Sequence, residues 1–284
     1  MTAALPSRTI HVAHSPDSDD AFMFYALAEG KVDTPFRYVH ELSDIESLNQ
    51  RARRGELEVS AVSIHAYAYL ADRYALMSSG SSMGDGYGPR LVSRQPAPAD
   101  PRAALQSQRV AVPGLFTTAY LALKLYQPDV DPVVLPFDQI EDAVQRGDVP
   151  VGLLIHEGQL TYADSGLHLW EDLGAWWMRD TGLPLPLGGN VVRRDLGEAV
   201  VAQVARDVRA SIEYALAHRG AALAHAMQFS RGLSDERADT FVGMYVNQWT
   251  VDYGPVGRQA VQLLLDRAAE AGLVPSRVHV DFVG

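Results

Sequence analysis

The sequence predicts an α/β protein with two lobes, each a mostly parallel sheet flanked by helices. Strand-like runs alternate with helical patterns over most of the chain, which is typical of parallel α/β sheets. The 284 residues are enough for about two domains of roughly 150 residues each. Breaks rich in proline, alanine or glycine, at 95–101 and 184–189, each lie beside a short strand-like segment. We therefore expect a smaller lobe, 95–189, inserted between 1–94 and 190–284, with a two-strand hinge and a ligand cleft between the lobes.

The first part of the chain supplies the predicted larger lobe. An acidic loop, 17–20, connects its first strand to its first helix. The next helix begins at Ser43-Asp-Ile-Glu46, a capping-box pattern. Strands are predicted at 9–13, 57–63, 74–79 and 91–94, and the first helix at 21–30.

The middle of the chain alternates strands and helices, and the last part is almost wholly helical. In the middle we predict strands at 109–113, 133–137 and 149–155 and helices at 118–127 and 139–146. A strand at 190–193 returns the chain to the larger lobe, followed by helices near 197–218, 220–228, 234–249 and 255–271.

The segment with the strongest functional signal is the apolar run 149–155, which ends abruptly at His156-Glu157. In open α/β sheets, ligands bind beyond the carboxyl ends of the strands. Histidine is the side chain best suited to move protons near neutral pH. From these residues alone, His156 is either a catalytic or ligand-binding group or a structural histidine. Glu157 is expected to point away from it, by strand alternation.

Three other segments lie at the same predicted rim. Thr117 and Thr118 follow a strand-to-helix turn, where free N–H groups suit a carboxylate or phosphate; plain capping by threonine is the alternative. Asp17, Asp19 and Asp20 lie at a helix start, where capping with a favourable charge–dipole interaction is the simpler interpretation. The alternative places this loop, with Asp17 and Asp20, at the cleft rim. Ser63 ends a strand, either as a donor to a ligand or as an ordinary turn serine.

Composition excludes several classes of protein. The net charge of −11 gives no general footprint for nucleic acid or anionic membranes. The absence of cysteine excludes disulfides and thiolate metal sites. His11 and His14 should point to opposite faces of a strand, and no other metal-ligand spacing emerges. We find no export signal and no membrane span, so a cytoplasmic protein is expected. The sequence does not indicate an oligomeric state.

Five segments of the chain are distinctive when taken together. They are 14–24 (HSPDSDDAFMF), 113–120 (PGLFTTAY), 155–162 (IHEGQLTY), 184–189 (PLPLGG) and 245–252 (YVNQWTVD). These segments resemble the 1,4-dihydroxy-6-naphthoate synthase family of the futalosine route to menaquinone. The resemblance runs from about residue 9 to the C-terminus.

This resemblance implies the two-lobed fold of periplasmic binding proteins (type 2), used by a cytoplasmic enzyme without a cofactor. It implies a lyase that cleaves cyclic dehypoxanthinyl futalosine to 1,4-dihydroxy-6-naphthoate and dihydroxyacetone. The family's catalytic histidine falls on His156, expected to accept a hydroxyl proton as a carbon–carbon bond breaks. The substrate-binding positions that it implies are Ala61, Val62, Ser63, Thr117 and Thr118.

Two alternatives share the predicted architecture. Chorismate dehydratase, of the same pathway, is the nearest enzyme. A solute-binding protein for transport is the alternative from another class, and it would need export. The ligand domain of a transcription regulator is disfavoured, since the chain is acidic and no pair of DNA-binding helices is predicted. For the proposed enzyme, the expected partner is a small molecule that carries a carboxylate.

Overall fold

The computed structural model describes residues 8–229 and 234–284. Within them the twelve strands are β1 (Thr9–His14), β2 (Arg37–Leu42), β3 (Val59–Ser63), β4 (Tyr74–Met77), β5 (Ser82–Gly84), β6 (Arg90–Ser93), β7 (Arg109–Val112), β8 (Asp131–Val134), β9 (Val151–Leu154), β10 (His168–Asp172), β11 (Leu185–Arg193) and β12 (Phe282–Val283). Residues 1–7, in which we found no export signal, lie outside the described part.

Helices connect the strands and cover the sheets. In the described residues they are α1 (Ser18–Ala28), α2 (Ile45–Arg54), α3 (Ile64–Tyr67), α4 (Pro101–Ala104), α5 (Thr118–Tyr126), α6 (Ile140–Arg146), α7 (Gly158–Thr161), α8 (Leu173–Thr181), α9 (Glu198–Ala217), α10 (Arg219–Ala226), α11 (Asp235–Tyr245), α12 (Gln248–Val251) and α13 (Gly254–Glu270). No helix in these ranges is long and apolar enough to cross a bilayer.

The strands form two sheets, which confirms the predicted α/β fold. The first has the order β12-β4-β11-β3-β1-β2, with β5 paired to β11, and the second has the order β10-β6-β9-β7-β8. Strand direction in both sheets is mixed, which corrects our expectation of mostly parallel sheets. The antiparallel pairs involve β11 in the first sheet and β6 in the second. The chain enters the second sheet at β6 and returns to the first sheet at β11. Both strands are antiparallel to their neighbours.

The chain passes between the sheets twice. It leaves the first sheet after β5, enters the second with β6 and returns with β11. All of β11 pairs within the first sheet, and β6 pairs with β9 in the second. The division into 1–94 with 190–284 and 95–189 stays a prediction.

Local sequence signals explain several helix ends, and two predictions made from such signals are corrected. Helix α2 is capped by Asp44, whose side chain accepts the N–H of Ser47; Ser43 is not the cap, and Glu46 instead accepts the N–H of Phe116 across the cleft. The helix predicted over 234–249 is two helices, because Asn247 forms a capping box with Thr250 and starts α12.

The central helix α1 is buried along nearly its whole length, because α9, α10 and α11 pack around it. Its apolar side chains, such as Phe22 and Phe24, lie in a core with Val204 and Ile212 of α9. Only the first turn of α1 carries charge, and it points toward the space between the two sheets. The fold therefore holds three consecutive polar residues, Ser18 to Asp20, on a rigid element.

Candidate active site

A cavity that opens to solvent lies between the two sheets, and the empty space in it and at its mouth is about 730 Å³. Its lining includes the end of β3, the start of α5, the residue after β9 and the first turn of α1. Of the residues singled out from sequence, the structure brings together Asp20, Ala61, Val62, Ser63, Thr117, Thr118 and His156 along this lining. The cavity is therefore the candidate site.

His156 closely follows β9 and turns the chain sharply. Its backbone has φ +53°, a left-handed conformation that non-glycine residues adopt at a cost of roughly 1–2 kcal/mol. Such outliers gather at functional sites, where the surrounding structure enforces them. The ring has the edge of Phe137 against it, with ring centroids 4.8 Å apart. The side chain is only 17% exposed, at the cavity wall.

The partner of His156 is Asp17, from the other sheet's lobe. Asp17 Oδ2 lies 3.0 Å from His156 Nδ1, and the carboxylate is 1% exposed. Asp17 occupies the N-cap position of α1, but its side chain makes no capping hydrogen bond. The capping interpretation of Asp17 is therefore wrong. A carboxylate can only accept, so Nδ1 carries the proton and Nε2 of a neutral imidazole is left as the proton acceptor.

Two further carboxyl groups of α1 line the cavity, those of Asp19 and Asp20. Asp20 Oδ2 accepts the N–H of Ser15 at 2.8 Å. Burial raises the pKa of Asp20 to about 6, and the hydrogen bonds from Ser15 partly oppose this. The pKa of Asp19 is raised well above its usual value, first by burial and then by the neighbouring Asp20, Asp17 and Glu157. The site therefore disfavours the ionised forms of Asp19 and Asp20, which lie side by side in the first turn of α1.

Glu157 corrects an argument from strand alternation. We expected it to point opposite to His156, on the premise that both lie on a strand. β9 ends at Leu154, and Glu157 already occupies the N-cap position of α7. The carboxyl group is 7% exposed and close enough to raise the pKa of Asp19. Alternation along the strand therefore says nothing about its direction.

Ser63 is held in place by one buried side chain. Asn49 Oδ1 accepts the N–H of Ser63 at 2.9 Å, and Asn49 Nδ2 donates to Ser63 Oγ at 3.1 Å. The same amide donates to the carbonyl of Phe116, from the other lobe, at 3.3 Å. Asn49 therefore fixes the wall formed by Ala61, Val62 and Ser63 relative to the start of α5.

The two threonine hydroxyls are used within the protein. Thr117 Oγ1 caps α5 by accepting the N–H of Tyr120 at 3.2 Å. Thr118 Oγ1 accepts the N–H of His65 at 3.1 Å and donates to the carbonyl of Leu187 at 2.6 Å. The capping interpretation thus holds for Thr117. The first N–H groups of α5, those of Thr118 and Ala119, have no carbonyl one turn earlier in the helix and border the cavity.

Several cavity residues were not identified as site residues from sequence. Tyr245 donates its hydroxyl to Gln159 Oε1 at 2.7 Å, a buried bond between α11 and α7. Asn190, on β11, donates to the carbonyl of Gly80 at 3.1 Å. Gly80 has φ +85°, and a Cβ there would lie 2.2 Å from Asn190 Nδ2, so only glycine fits. Tyr245 and Gln159 both lie in segments that carried the family resemblance, and this was the available signal.

Metal-ligand geometry does not emerge at the site. Across residues 8–229 and 234–284, no group of three or more histidine or carboxylate side chains is arranged to hold a metal ion. His11 is exposed and His14 buried, on opposite faces of β1 as expected.

Fold and cleft together define a two-lobed protein of the periplasmic-binding-protein type. The structure matches the alkanesulfonate-binding protein of Xanthomonas axonopodis pv. citri, bound to MOPS, with a TM-score of 0.70 at 14% identity over 97% of each chain. A protein of Archaeoglobus fulgidus matches with a TM-score of 0.89 at 46% identity, over 96% of this chain and 100% of that one. The first match shows the fold alone.

Residues 10–270 match the VitK2_biosynth family model, described as menaquinone biosynthesis, and the chain belongs to this family. It is 43% identical over 264 residues to a 1,4-dihydroxy-6-naphthoate synthase of Thermus thermophilus, covering 93% of this chain and 95% of that protein. It is 40% identical over 274 residues to the enzyme of that name from Streptomyces coelicolor, covering 94% of this chain and 95% of that one. The family predicted from sequence is confirmed.

Proposed function

We propose that the protein is a 1,4-dihydroxy-6-naphthoate synthase, a lyase that cleaves cyclic dehypoxanthinyl futalosine to 1,4-dihydroxy-6-naphthoate and dihydroxyacetone. Two relatives of that name, identical at 43% and 40% of positions over nearly the full chain, support the activity. The observation that carries the mechanism is the contact of His156, which lines the cavity, with the buried carboxylate of Asp17. No cofactor is part of the proposal.

His156 is the proposed base. Its Nε2 accepts the proton of a substrate hydroxyl as that oxygen becomes a carbonyl and the adjacent carbon–carbon bond breaks. The bond's electron pair passes into the six-membered ring that becomes aromatic, and aromatisation supplies driving force. Asp17 acts as a positioning residue: it fixes the ring and its tautomer, and it stabilises the imidazolium that forms.

The substrate's carboxylate is proposed to bind at the start of α5. The first N–H groups of this nine-residue helix border the cavity, and the helix dipole favours an anion there. Ala61, Val62 and Ser63 are the proposed opposite wall for the ring system, held by Asn49. The Thr117 and Thr118 side chains shape this end through their protein contacts and do not grip the substrate themselves.

The same proposal includes the division of the chain into two lobes and the cellular location of the protein. We take 1–94 with 190–284 as the larger lobe and 95–189 as the smaller. A cytoplasmic setting fits relatives that are named as enzymes of biosynthesis. The ligand is a small molecule enclosed between the lobes, with no role for nucleic acid.

The decisive experiment is product formation by the purified chain. Incubation with cyclic dehypoxanthinyl futalosine should yield 1,4-dihydroxy-6-naphthoate and dihydroxyacetone in equal amounts. Chromatography with mass spectrometry measures both products. Chorismate, the substrate of the alternative dehydratase, should remain unchanged in a parallel reaction. Binding of the futalosine derivative without release of dihydroxyacetone would instead favour a solute-binding protein.

A further inference from the structure

The side chain of Asp19 is a polar group of the cavity whose surroundings are at odds with its usual charge. It lies in the first turn of α1, is 8% exposed and lines the same cavity as His156. Among the described residues, no hydrogen bond reaches its Oδ1 atom. A buried carboxylate with one oxygen lacking a donor is costly, because the lost hydration of that oxygen is not replaced.

Its neighbours make an ionised Asp19 still less favourable. Asp17 and Asp20 flank it on α1, and Glu157 approaches from the other lobe. Asp17 has the imidazole of His156, and Asp20 has the N–H of Ser15 at 2.8 Å. The hydrogen bonds from Ser15 oppose protonation of Asp20, whereas Asp19 Oδ1 accepts no hydrogen bond within the described part of the chain, so the least costly way to relieve the cluster is to keep a proton on Asp19.

A neutral carboxylic acid has a hydrogen to donate. In an apolar site, a carboxyl group kept neutral near pH 7 can serve as a hydrogen-bond donor to a reacting oxygen. Asp19 lies close enough to Tyr245 to affect its pKa, and Tyr245 is bonded to Gln159, three residues after His156. Asp19 also lies near Asp17, whose Oδ2 is 3.0 Å from His156 Nδ1, so the donor is at the His156 end of the cavity, where the proposed function places the reacting atoms.

We propose that Asp19 binds the substrate in its protonated form, donating a hydrogen bond from its carboxylic acid to an oxygen of the substrate at the His156 end of the cavity. This inference rests on the proposed function for the identity of the substrate. Asp19 keeps its proton throughout, so it is a donor to the substrate and not a source of protons for turnover.

The raised pKa of Asp19 also supports a protonated side chain. Burial is the largest cause of the raised pKa of Asp19, and the nearby N–H of Asp20 opposes it only in part. The titratable groups that face Asp19 from the packed elements are Asp17, Asp20, His156, Glu157 and Tyr245.

Protonation can be measured without turnover. Infrared spectra of the whole protein at about pH 7 should contain a protonated-carboxyl band that the Asp19→Asn variant lacks. Asp138→Asn, at an exposed position, is the matched control and should leave the band in place. A spectrum of Asp19→Asn with the full band of the wild type would overturn the proposal, whether or not the protein is a lyase.

The proposed hydrogen bond from Asp19 to the substrate is tested by two variants assayed with cyclic dehypoxanthinyl futalosine. Asp19→Asn keeps a neutral donor of the same shape, so kcat/KM should stay within about tenfold of the wild type. Asp19→Ala removes the donor and should lower kcat/KM by a further ten- to hundredfold, roughly. Thermal unfolding of each variant checks that it is folded.

Two results would sink the inference. An inactive, folded Asp19→Asn would mean that the ionised form or a transferable proton is needed. An Asp19→Ala variant as active as Asp19→Asn would mean that no hydrogen bond is donated. If the wild type itself forms no dihydroxyacetone, the proposed function fails, and the infrared result alone decides the protonation of Asp19.

Discussion

Asp17 Oδ2 lies 3.0 Å from His156 Nδ1 and joins the start of α1 to the end of β9. The two residues are far apart in sequence and belong to lobes built on different sheets. The carboxylate accepts the Nδ1 proton, so the other ring nitrogen is left unprotonated in the neutral imidazole. One short contact thus sets the orientation and the tautomer of the candidate base.

Replacing the base should remove turnover and preserve the fold. His156→Asn is the suitable change, because asparagine tolerates left-handed backbone better than most residues. We expect kcat to fall by roughly 10²- to 10⁴-fold. Release of dihydroxyacetone measures turnover, and circular dichroism with thermal unfolding measures folding. His168→Asn, at an exposed position, is the control. A folded His156→Asn protein with wild-type turnover would refute the assignment.

The Asp17→Asn variant tests the proposal that Asp17 positions the His156 ring. The amide can donate to Nδ1, which would place the ring proton on Nε2 and block the base. We expect kcat to fall by roughly 10²- to 10⁴-fold, with KM changed far less. Nitrogen NMR of the His156 ring should report the exchanged tautomer, which a purely structural role of Asp17 would not produce. Asp138→Asn should behave as wild type. An unchanged tautomer would contradict the positioning role.

Thr118→Val should act mainly on stability. The hydroxyl bridges the buried N–H of His65 and the partly buried carbonyl of Leu187, and valine leaves both groups without this partner. We expect a loss of about 1–3 kcal/mol in the free energy of unfolding, from urea titration. Thr240→Val, which removes an exposed hydroxyl bonded within α11, should cost no more than about 0.5 kcal/mol. Equal losses in both variants would be inconsistent with this bridging role.

A pair of histidines, His14 buried and His40 partly buried, should make stability depend on pH. His14 Nε2 lies 3.2 Å from His40 Nδ1, and His14 Nδ1 lies 2.9 Å from the carbonyl of Ser15. Burial lowers the pKa of His14 and of His40 from 6.5 to about 4. Folding therefore favours the neutral forms, so their contribution to stability is complete above about pH 6.5 and is lost as pH falls toward about 4.

His40→Gln removes one titrating group and keeps an amide near His14. For each proton taken up only on unfolding, the free energy of unfolding falls by up to about 1.4 kcal/mol per pH unit. The variant should thus show a shallower decline than the wild type in urea titrations between about pH 7 and pH 4. His168→Gln serves as the control. Identical slopes for the wild type and His40→Gln would exclude the pair as a source of acid sensitivity.

Sequence patterns predicted the elements that carry the site more accurately than the contacts between them. The apolar run 149–155 predicted β9, and the observed strand is Val151–Leu154. The turn before Thr118 predicted a helix over 118–127, and the observed α5 ends one residue earlier, at Tyr126. These signals are local, since they depend on periodicity and on capping groups within a few residues.

The contacts that define the chemistry could not be predicted in the same way. Asp17 was predicted as a helix cap because its local sequence suits one, and its bond to His156 depends on how two distant segments meet. Asp19 was treated as a favourable charge at a helix start, since nothing in the sequence revealed its burial among other carboxyl groups. The direction of β6 and β11 depends likewise on how the chain returns between sheets.

The proposed base and its carboxylate lie beside different sheets, so we expect catalytic competence to depend on how the two lobes meet. If the lobes separate when a molecule enters or leaves, Asp17 separates from His156 and the ring is released from its fixed tautomer. The proposed reactive geometry is then absent whenever bulk water has free access to the cleft. On this proposal, turnover does not begin on a half-enclosed molecule, and the frequency of reopening sets an upper limit on the rate.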